Sequence, residues 1–492
     1  MNDLYLSTAI FGCYAGSYTD YLTGPASNDY SAASTTGQGN DLTSYIPSLW
    51  AQEGLAILEE NMVMANLVHR DFENAVAKFG DVVNTRKPAE FTVSRKDDGS
   101  TLVHENATAQ NVQVALNQWF QKSFVIKDGE GSMAFQDLKD IYLQPAMQSI
   151  ARGIDRAILG RVHAFLATAA KRVGGLGKLD YTTAKNYILD ARDILNRNLA
   201  WPTARRLVLG SSAETAALKT ELFISAEKRG DGGNALENAM LGRILGFDTY
   251  MDQNVNDVQS GTDYVQFNLS SGALPAGTTV LLETAATGAD LPTAGEWVVV
   301  AGNDQPNWVA AQATGVSITL NEGLKTGLAG SNQVTKYTKF TVGTTYAVGY
   351  SQAMAATGYT NPPQVGQLVA FGDGTTPGGV RQTYTIIESK PATAGYSILL
   401  DRPLETALAS TNAFPGPMGS FNLAFHRDAI ALITRPLALP NAGVQSGTAS
   451  YNGIGMRVLM QYDINHGGTV VNCDILAGVA VLDPLLAVVL LG

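Results

Sequence analysis

The sequence predicts a mixed α+β protein that carries an inserted β-rich domain. Three observations support this class. A long amphipathic pattern runs from Ser132 to Ala170, a pair of strand patterns with a polar tip precedes it, and helical periodicity disappears between Val258 and Pro417. The first two shapes are hard to bury in a compact monomer, so the layout indicates assembly and not catalysis.

The first 44 residues are rich in Gly, Ser, Thr, Asn and Tyr and poor in large aliphatic residues. Such a composition cannot form a core of its own, so we expect an arm that is held by partner molecules. A helix is predicted next, over Ser48 to Phe72. Its apolar side consists of Leu49, Leu55, Leu58, Met62 and Leu67.

A polar-tipped hairpin is predicted over Asp81 to Lys127. Two strand patterns, Asp81 to Val93 and Val112 to Ile126, flank a charged turn. A two-stranded arm is marginally stable in water, so its apolar stripe needs a surface to lie on, and we expect a neighbouring subunit to provide it. The candidate intersubunit contacts are Arg95, Lys96, Asp97, Asp98, Trp119 and Phe120.

The pattern from Ser132 to Ala170 predicts one long spine helix. At ~1.5 Å per residue it would run roughly 55 Å, longer than a compact unit of ordinary size. Pro145 lies inside it and predicts a kink near Ile141. The apolar stripe consists of Phe135, Leu138, Tyr142, Met147, Ile150, Ile154, Ile158, Val162 and Phe165.

The segments after the spine alternate between helix and strand. Helices are predicted over Thr182 to Asn198, Ser211 to Leu222 and Asn234 to Leu245, with a strand over Arg205 to Leu209. At the end of the chain, Met456 to Ile464 and Thr469 to Leu476 predict two strands joined by a turn, and Gly478 to Leu491 is expected to finish the same sheet.

Between Val258 and Pro417 short runs rich in Val, Thr, Tyr and Phe are separated by Gly and Pro. This texture predicts a small barrel, a sandwich, or two such units joined together. The predicted strands are Thr278 to Leu282, Trp297 to Val300, Val316 to Leu320, Tyr337 to Val342, Gln367 to Phe371, Gln382 to Ile387 and Tyr396 to Leu400.

Composition narrows the function classes. The net charge is −11 and charged residues are only 16% of the chain, which argues against a dedicated nucleic-acid binder. Cys13 and Cys473, the two cysteines, lie too far apart in sequence to suggest a disulfide framework or a cysteine zinc site. Residues 1–17 lack the basic start and apolar run of a signal peptide.

No catalytic, cofactor or metal residues are predicted. His426, Arg427 and Asp428 imitate a kinase catalytic loop, but Ile433 stands where that loop needs Asn. The five histidines show no paired ligand spacing. Arg86, Lys87, Arg152, Arg156 and Arg161 are the main basic residues, for which ion pairs within the spine are favoured over DNA contact.

Three stretches resemble a known family. They are Tyr45 to Trp50 continuing through Asn66–Phe72 to Asn84, Phe421 to Ala429 with Thr434 to Leu437, and Tyr462–Asp463 with Gly478 to Gly492. The resemblance is to the major capsid (coat) proteins of tailed bacteriophages with the Hong Kong 97-type fold, in the podovirus-type branch that has an insertion domain.

The resemblance implies a division into an N-terminal arm (1–44), a leading helix and strand (45–80), an extended loop (81–127) and the spine helix of a peripheral domain (128–180). An axial domain (181–257, returning at 418–445), the insertion (258–417) and peripheral strands (446–492) complete it. It further implies a protein made in the host cytoplasm and located in the virion. Some members of the family lose an N-terminal segment, but Met1 is present here, so we expect no proteolytic maturation of the N-terminus.

The implied partners are sister copies in hexamers and pentamers, a scaffolding protein, a portal at one vertex, a possible decoration protein, and double-stranded DNA bound without sequence specificity. The resemblance implies neither a cofactor nor contact with a membrane. The alternative function is a β-rich surface or secreted carbohydrate-binding module formed by residues 258–417. The missing signal peptide argues against it.

Overall fold

The computed structural model describes most of the chain from Tyr45 to Gly492. The described ranges are 45–70, 81–87, 110–129, 138–166, 168–225, 241–258, 264–269, 279–281, 291–313, 317–324, 332–343, 346–359, 362–371, 382–393, 395–408, 412–440, 443–465 and 467–492, with 93, 95–99, 101, 104, 238–239 and 277. The predicted arm of residues 1–44 therefore lies outside the described residues, as do the start of the predicted spine helix and most of the helix predicted from Asn234.

The helices occupy the first half of the described chain. They are α1 (Tyr45–Asn61), α2 (Met64–Leu67), α3 (Gln144–Leu159), α4 (His163–Leu166), α5 (Ala184–Arg197), α6 (Ser211–Leu218) and α7 (Glu221–Ile224). The predicted first helix is thus broken after Asn61. The helices predicted from Thr182 and Ser211 are confirmed, although the second is interrupted after Leu218.

The spine is a run of helical segments and not one uniform α-helix. A π-helical turn, Lys139–Leu143, precedes α3 at the place where Pro145 predicted a kink. A 3-10 turn, Gly160–Val162, separates α3 from α4. Proline removes the hydrogen bond that the residue four positions earlier would receive, so a wider turn before it is expected. The predicted apolar stripe is confirmed for Ile150, Ile154 and Ile158, which are buried.

Asp155 explains why the first predicted helix breaks. Its carboxylate is fully buried on α3 and accepts hydrogen bonds from the backbone amides of Val63, at 2.9 Å, and Ala65, at 3.1 Å. These amides open α2 and have no partners within that helix, so the carboxylate acts as a cap supplied by a distant segment. The chain can therefore turn between Asn61 and Met64 without leaving polar groups unpaired.

Two β-sheets share the region around the spine. The first has the order β4-β26-β21-β5-β7-β6, with β8 pairing to β21. Its strands are β4 (Arg172–Gly174), β5 (Arg205–Leu209), β6 (Arg243–Ile244), β7 (Phe247–Met251), β8 (Asp257–Val258), β21 (Gly419–His426) and β26 (Ala487–Leu491). The strand predicted over Arg205 to Leu209 is confirmed. We call this the axial sheet.

The second sheet has the order β22-β25-β24-β23, and β3 pairs with β25. Its strands are β3 (Gln118–Lys127), β22 (Ile430–Arg435), β23 (Gln445–Tyr451), β24 (Ile454–Asp463) and β25 (Gly468–Val481). Helices α1 and α3 cover one face of it and form the main core. That core includes Trp50, Leu58, Met147, Ile154, Met456 and Ile475. We call this the peripheral sheet.

Three predicted elements were wrong in extent. The strand predicted over Val112 to Ile126 is two strands, β2 (Gln110–Ala115) and β3, which belong to different sheets. The final segment does not finish one sheet, because β25 ends at Val481 in the peripheral sheet whereas β26 pairs with β21 in the axial sheet. The end of the helix predicted to Leu245 is the short strand β6, which folds back on β7.

The described residues between 264 and 415 form two β units, one of the alternatives that the sequence left open. A six-stranded sheet, ordered β10-β13-β12-β11-β14-β9, is followed by a closed barrel, ordered β15-β16-β19-β18-β17-β20. The sheet contains β9 (Tyr264–Asn268), β10 (Thr279–Leu281), β11 (Trp297–Val300), β12 (Pro306–Ala313), β13 (Ser317–Leu320) and β14 (Gln333–Tyr337). The barrel contains β15 (Phe340–Val342), β16 (Met354–Thr357), β17 (Leu368–Phe371), β18 (Gln382–Ala392), β19 (Gly395–Leu400) and β20 (Asn412–Pro415). The strand predicted over Tyr337 to Val342 spans the junction between them.

Both inserted units pack on the rest of the subunit. Trp297, Trp308 and Leu368 belong to the same buried cluster as the apolar face of the spine. At the end of α3, a Cβ atom added to Gly160 would lie only 2.6 Å from Cβ of Asp401 in the barrel. The inserted region is therefore braced against the spine, and the α+β class predicted from the sequence is confirmed.

Candidate assembly interface

The predicted hairpin exists as an isolated two-stranded ladder. Strand β1 (Val82–Lys87) pairs antiparallel with β2, from Val82 opposite Ala115 to Lys87 opposite Gln110. Among the described strands, neither pairs with a third. Pairs of strands without further cover are marginal in water, so this arm depends on what holds its base and on what covers its length.

The base of the hairpin is anchored in its own subunit. Val114 and Leu116 are fully buried, and the backbone amide of Leu116 donates to the carbonyl of Asp81 at 2.8 Å. They belong to a small apolar cluster on the peripheral sheet that also contains Ala431, Ile433, Leu437 and Leu476. The hairpin is thus fixed at one end, and its direction is set by a rigid sheet.

The far end of the hairpin is in solvent. Arg95, Lys96, Asp97 and Asp98 are all exposed, as the sequence predicted for a charged tip. Gly99 follows them with φ of +82°, a conformation that glycine adopts without strain and that turns the chain. Val93, close to this turn, is 97% exposed. An apolar side chain so fully in water on a projecting arm is a candidate contact for another molecule.

Trp119 and Phe120, the remaining predicted contacts, point to different sides of β3. Trp119 is 47% exposed. Phe120 is half-buried, and its ring lies over Gly153 of α3, where an added Cβ would be 3.3 Å from the ring. Trp119 therefore remains a candidate contact because almost half of it is exposed, whereas Phe120 already packs within its own subunit.

Two of the basic residues of the spine, Arg156 and Arg161, are used internally, whereas Arg152 is exposed. Arg156 donates to the carbonyl of Ile387 in the barrel at 3.1 Å, and Arg161 donates to the carbonyl of Val479 at 2.6 Å. Burial lowers the pKa of both guanidinium groups. The expected ion pairing within the spine is thus replaced, at these two positions, by bonds to backbone carbonyls.

The kinase-like triplet forms the turn by which the chain passes from the axial to the peripheral sheet. The side chain of His426 accepts a hydrogen bond from the backbone amide of Asp428, and Asp428 Oδ1 lies 3.1 Å from Nδ1 of His69. Burial is the main cause that lowers the pKa of His426. These contacts tie the segment after α2 to the turn, so the triplet has a structural role here.

An exposed apolar surface that the sequence did not suggest lies between α5 and β5. Leu199 is 85% exposed and Trp201 is 73% exposed. Leu485 from the turn before β26 is also exposed, and its carbonyl accepts a bond from Asn198 at 3.0 Å. Single apolar residues in a short loop look like core positions in a sequence. The sequence feature that could have indicated this exposed loop is the position of Trp201 directly before Pro202, because the proline ends the helical periodicity.

In the parts of the chain that the structure describes, no group of three or more His, Cys, Asp or Glu side chains could hold a metal ion. None of the helices in those parts is long and apolar enough to cross a membrane.

Comparison with known proteins shows that this chain is similar to several solved structures. A structure from Mycobacterium phage Che8 aligns with 87% of this chain and 90% of its own, at 12% identity and a TM-score of 0.39. The capsid structure of cyanophage P-SCSP1u aligns with 87% of this chain and 91% of its own chain, at 10% identity and a TM-score of 0.36. The mature capsid of bacteriophage PhiM1 aligns with 86% of this chain and 82% of its own chain, at 10% identity and a TM-score of 0.37.

These alignments to phage structures extend over most of the chain. No protein-family profile matches the chain, and no curated protein matches it. At these identities and TM-scores its function has to be argued from its own residues.

Proposed function

We propose that this chain is a major capsid protein of a tailed bacteriophage with a Hong Kong 97-like fold. Its copies would associate as hexamers and pentamers of an icosahedral shell that encloses double-stranded DNA. The observation that carries this proposal is the hairpin of β1 and β2, anchored at Leu116 and exposed at Val93 and at the charged tip.

The hairpin of β1 and β2 has little stability of its own. A two-stranded ladder with one fixed end gains little from its own contacts, and exposed apolar residues on it gain nothing until they are covered. A sister subunit is the natural cover, because a subunit of a symmetric shell presents the same surface at every position. Many small identical contacts then add up to a closed particle.

The charged tip has a defined part in this proposal. Arg95, Lys96, Asp97 and Asp98 are exposed and carry both signs of charge. Exposed ion pairs contribute little free energy, typically about 0–1 kcal/mol each. Their expected contribution is to fix which neighbouring surface the tip meets, while Val93 and Trp119 supply apolar area.

The remaining partners follow from the same proposal. DNA would be enclosed without sequence-specific contacts, which the net charge of −11 and the internal use of Arg156 and Arg161 support. A scaffolding protein during assembly, a portal at one vertex and a possible decoration protein complete the set. The parts of the subunit would be those given in the sequence analysis, with the hairpin ending at Ala115 and β3 assigned to the peripheral sheet.

The test is expression of the full chain with and without its genomic neighbours, followed by negative-stain electron microscopy. We expect closed, uniform particles from the natural chain. A variant that lacks Arg95 to Glu105 should stay soluble and form few closed shells, because its anchored base is intact while its contact surface is lost.

A matched control removes the charges but keeps the length of the tip, by replacing Arg95, Lys96, Asp97 and Asp98 with serine. It should assemble better than the shortened chain. A well-behaved monomer at high concentration under all conditions, or normal particles from the shortened chain, would contradict the proposal.

A further inference from the structure

The loop between α5 and β5 is built to hold Leu199 and Trp201 in solvent. Leu199 has φ of +57° and Ala204 has φ of +54°, a left-handed conformation that residues with a Cβ rarely adopt. Strain of this kind persists only where the surroundings impose it, and it is concentrated at functional positions. The backbone that carries the exposed side chains is therefore held in one conformation by its surroundings.

Arg205 is what fixes this backbone. It is buried, and it donates to the carbonyl of Trp201 at 2.9 Å, to Oδ1 of Asn196 at 2.8 Å and to the carbonyl of Ala200. A second brace is the backbone amide of Arg427, which donates to the carbonyl of Ala204 at 3.2 Å. A braced loop loses little conformational entropy on binding, which is the property that makes an exposed tryptophan an effective anchor.

A cavity of about 520 Å³ lies at the other end of the axial sheet. Its lining is polar and apolar in about equal parts: Leu179, Val299 and Met418 contribute apolar side chains, and Ser212 and Asp257 contribute polar ones. Ser212 Oγ donates to Asp257 Oδ2 at 3.0 Å, which leaves the other carboxylate oxygen of Asp257 as a possible acceptor. An indole has an apolar body and a single N–H donor, so its chemistry fits a cavity whose wall combines apolar side chains with a carboxylate.

Strand β21 relates the two features. Gly419 and Ser420 at its beginning line the cavity, and His426 at its end is the partner of Arg205 in the ladder. Eight residues at ~3.3 Å each place the tryptophan loop and the cavity roughly 25 Å apart at opposite ends of the sheet. One copy carries the tryptophan loop at one end of the sheet and the cavity at the other end. A contact between the loop of one copy and the cavity of the next would be head-to-tail, the kind that closes into rings.

We propose that Trp201 of one copy enters the cavity beside Ser212 of the next copy, and that this contact links the subunits of one capsomer. The inference rests on the proposed function, since it requires that copies form rings. The cavity is also within the size range of small-molecule sites, ~300–1,000 Å³, so occupation by a small ligand is the outcome that competes with it.

The first test is replacement of Trp201 by alanine. The change removes an exposed side chain, so the purified subunit should keep its thermal stability, while the yield of closed particles should fall by about tenfold or more. Ser212→Trp, which fills the mouth of the cavity, should have the same effect. Tyr451→Ala is the matched control, because Tyr451 is 66% exposed on the peripheral sheet, and it should assemble at a higher yield than Trp201→Ala.

Directed cross-linking then tests the geometry. In a Cys13→Ser background, Thr203→Cys in the same exposed loop and Ser212→Cys are combined in one chain that keeps Trp201, and the chain is treated with a short bis-maleimide. The natural Cys473 is buried, and burial raises its pKa to about 12, so it should stay unreactive. The double variant should give a ladder of linked copies, a mixture of the two single variants only dimers, and each single variant alone no product.

Each failure has a separate meaning. If the natural chain forms no particles under any condition, the capsid proposal fails and the inference fails with it. If the natural chain assembles but Trp201→Ala assembles equally well, or if the double variant gives no ladder, the inference alone is overturned. Dimers from Thr203→Cys alone would also overturn it, because they would indicate a symmetric contact through the loop. A small molecule that stabilises the subunit and is displaced by Ser212→Trp, without any change in assembly, would assign the cavity to that ligand instead.

Discussion

Arg457 and Asp474 face each other across β24 and β25 and form a buried, two-pronged ion pair. Arg457 Nε lies 3.0 Å from Asp474 Oδ1, and Nη2 lies 2.6 Å from Oδ2. Their Cα atoms are direct partners in the ladder, and Nη1 of the arginine also donates to the carbonyl of Ala438. The pair therefore fixes the register of the peripheral sheet. It also ties the loop between β22 and β23 to that sheet.

We expect Arg457→Met to destabilise the subunit by about 3–5 kcal/mol, because it leaves the Asp474 carboxylate buried without its cationic partner. Urea denaturation of the purified subunit measures this. The matched control is Arg197→Met, which removes an exposed ion pair with Asp193 on α5 and should cost under about 0.5 kcal/mol. Replacing both partners with apolar residues should recover much of the loss. Equal effects of Arg457→Met and Arg197→Met would contradict the role of burial.

The second prediction concerns the contact between the spine and the barrel at Gly160. An added Cβ would lie 2.6 Å from Cβ of Asp401, and the carbonyl of Gly160 accepts a bond from Thr385 Oγ1 at 3.0 Å. Gly160→Ala should therefore lower the thermal midpoint of the subunit by several degrees, since about 1–3 kcal/mol of overpacking is expected in a tight contact.

Gly129→Ala is the control for this change, because nothing lies within 4 Å of a Cβ added there. It should leave the midpoint nearly unchanged. If Gly160→Ala is as stable as the natural chain, the barrel is not held by this contact.

The third prediction is a pH dependence from Asp155. Burial, with a smaller effect from the charge of Asp252, raises the pKa of Asp155 from 3.8 to about 7. The folded protein therefore keeps this proton between about pH 4 and 7, where the unfolded chain loses it. Stability from this group is complete below pH 4 and is lost as pH rises through 7, by roughly 4 kcal/mol in total.

Asp155→Asn should remove this part of the pH dependence, at the cost of some stability at low pH because one of the two amide partners in α2 loses its acceptor. Urea midpoints measured from pH 4.5 to 8 check the slope. Asp190→Asn, on the exposed side of α5, should keep the natural slope. Identical slopes in the natural chain and in Asp155→Asn would show that the buried carboxylate does not titrate in this range.

The sequence predicted those elements whose periodicity is carried by their own residues. The stripe of Ile150, Ile154 and Ile158 and the strand from Arg205 to Leu209 are examples. It could not show the break between β2 and β3, because Leu116 and Asn117, the two residues between these strands, keep the alternation of a strand in phase. A two-residue interruption is invisible to a two-residue period.

The candidate contacts were predicted only in part, for a related reason. A charged tip such as Arg95 to Asp98 is recognisable from composition and turn chemistry. The exposure of Trp201 is set by Arg205 and Arg427, which meet the loop through main-chain bonds that no side-chain pattern records. Surfaces of this kind depend on the tertiary structure and have no local signal.

The last prediction concerns the whole inserted region. Val258 and Gly419 are direct partners between β8 and β21, so a short Gly-Ser linker can replace residues 259–417 without moving either strand. If the insertion were an appendage, the shortened chain would fold normally. We expect instead that it will be insoluble or will melt far below the natural chain, because it loses Trp297, Trp308 and Leu368 from the main core. Each such loss is comparable to a large core truncation of about 3–5 kcal/mol. Solubility and a thermal scan measure the outcome, and an unchanged midpoint with unchanged particle formation would contradict the bracing role of the insertion.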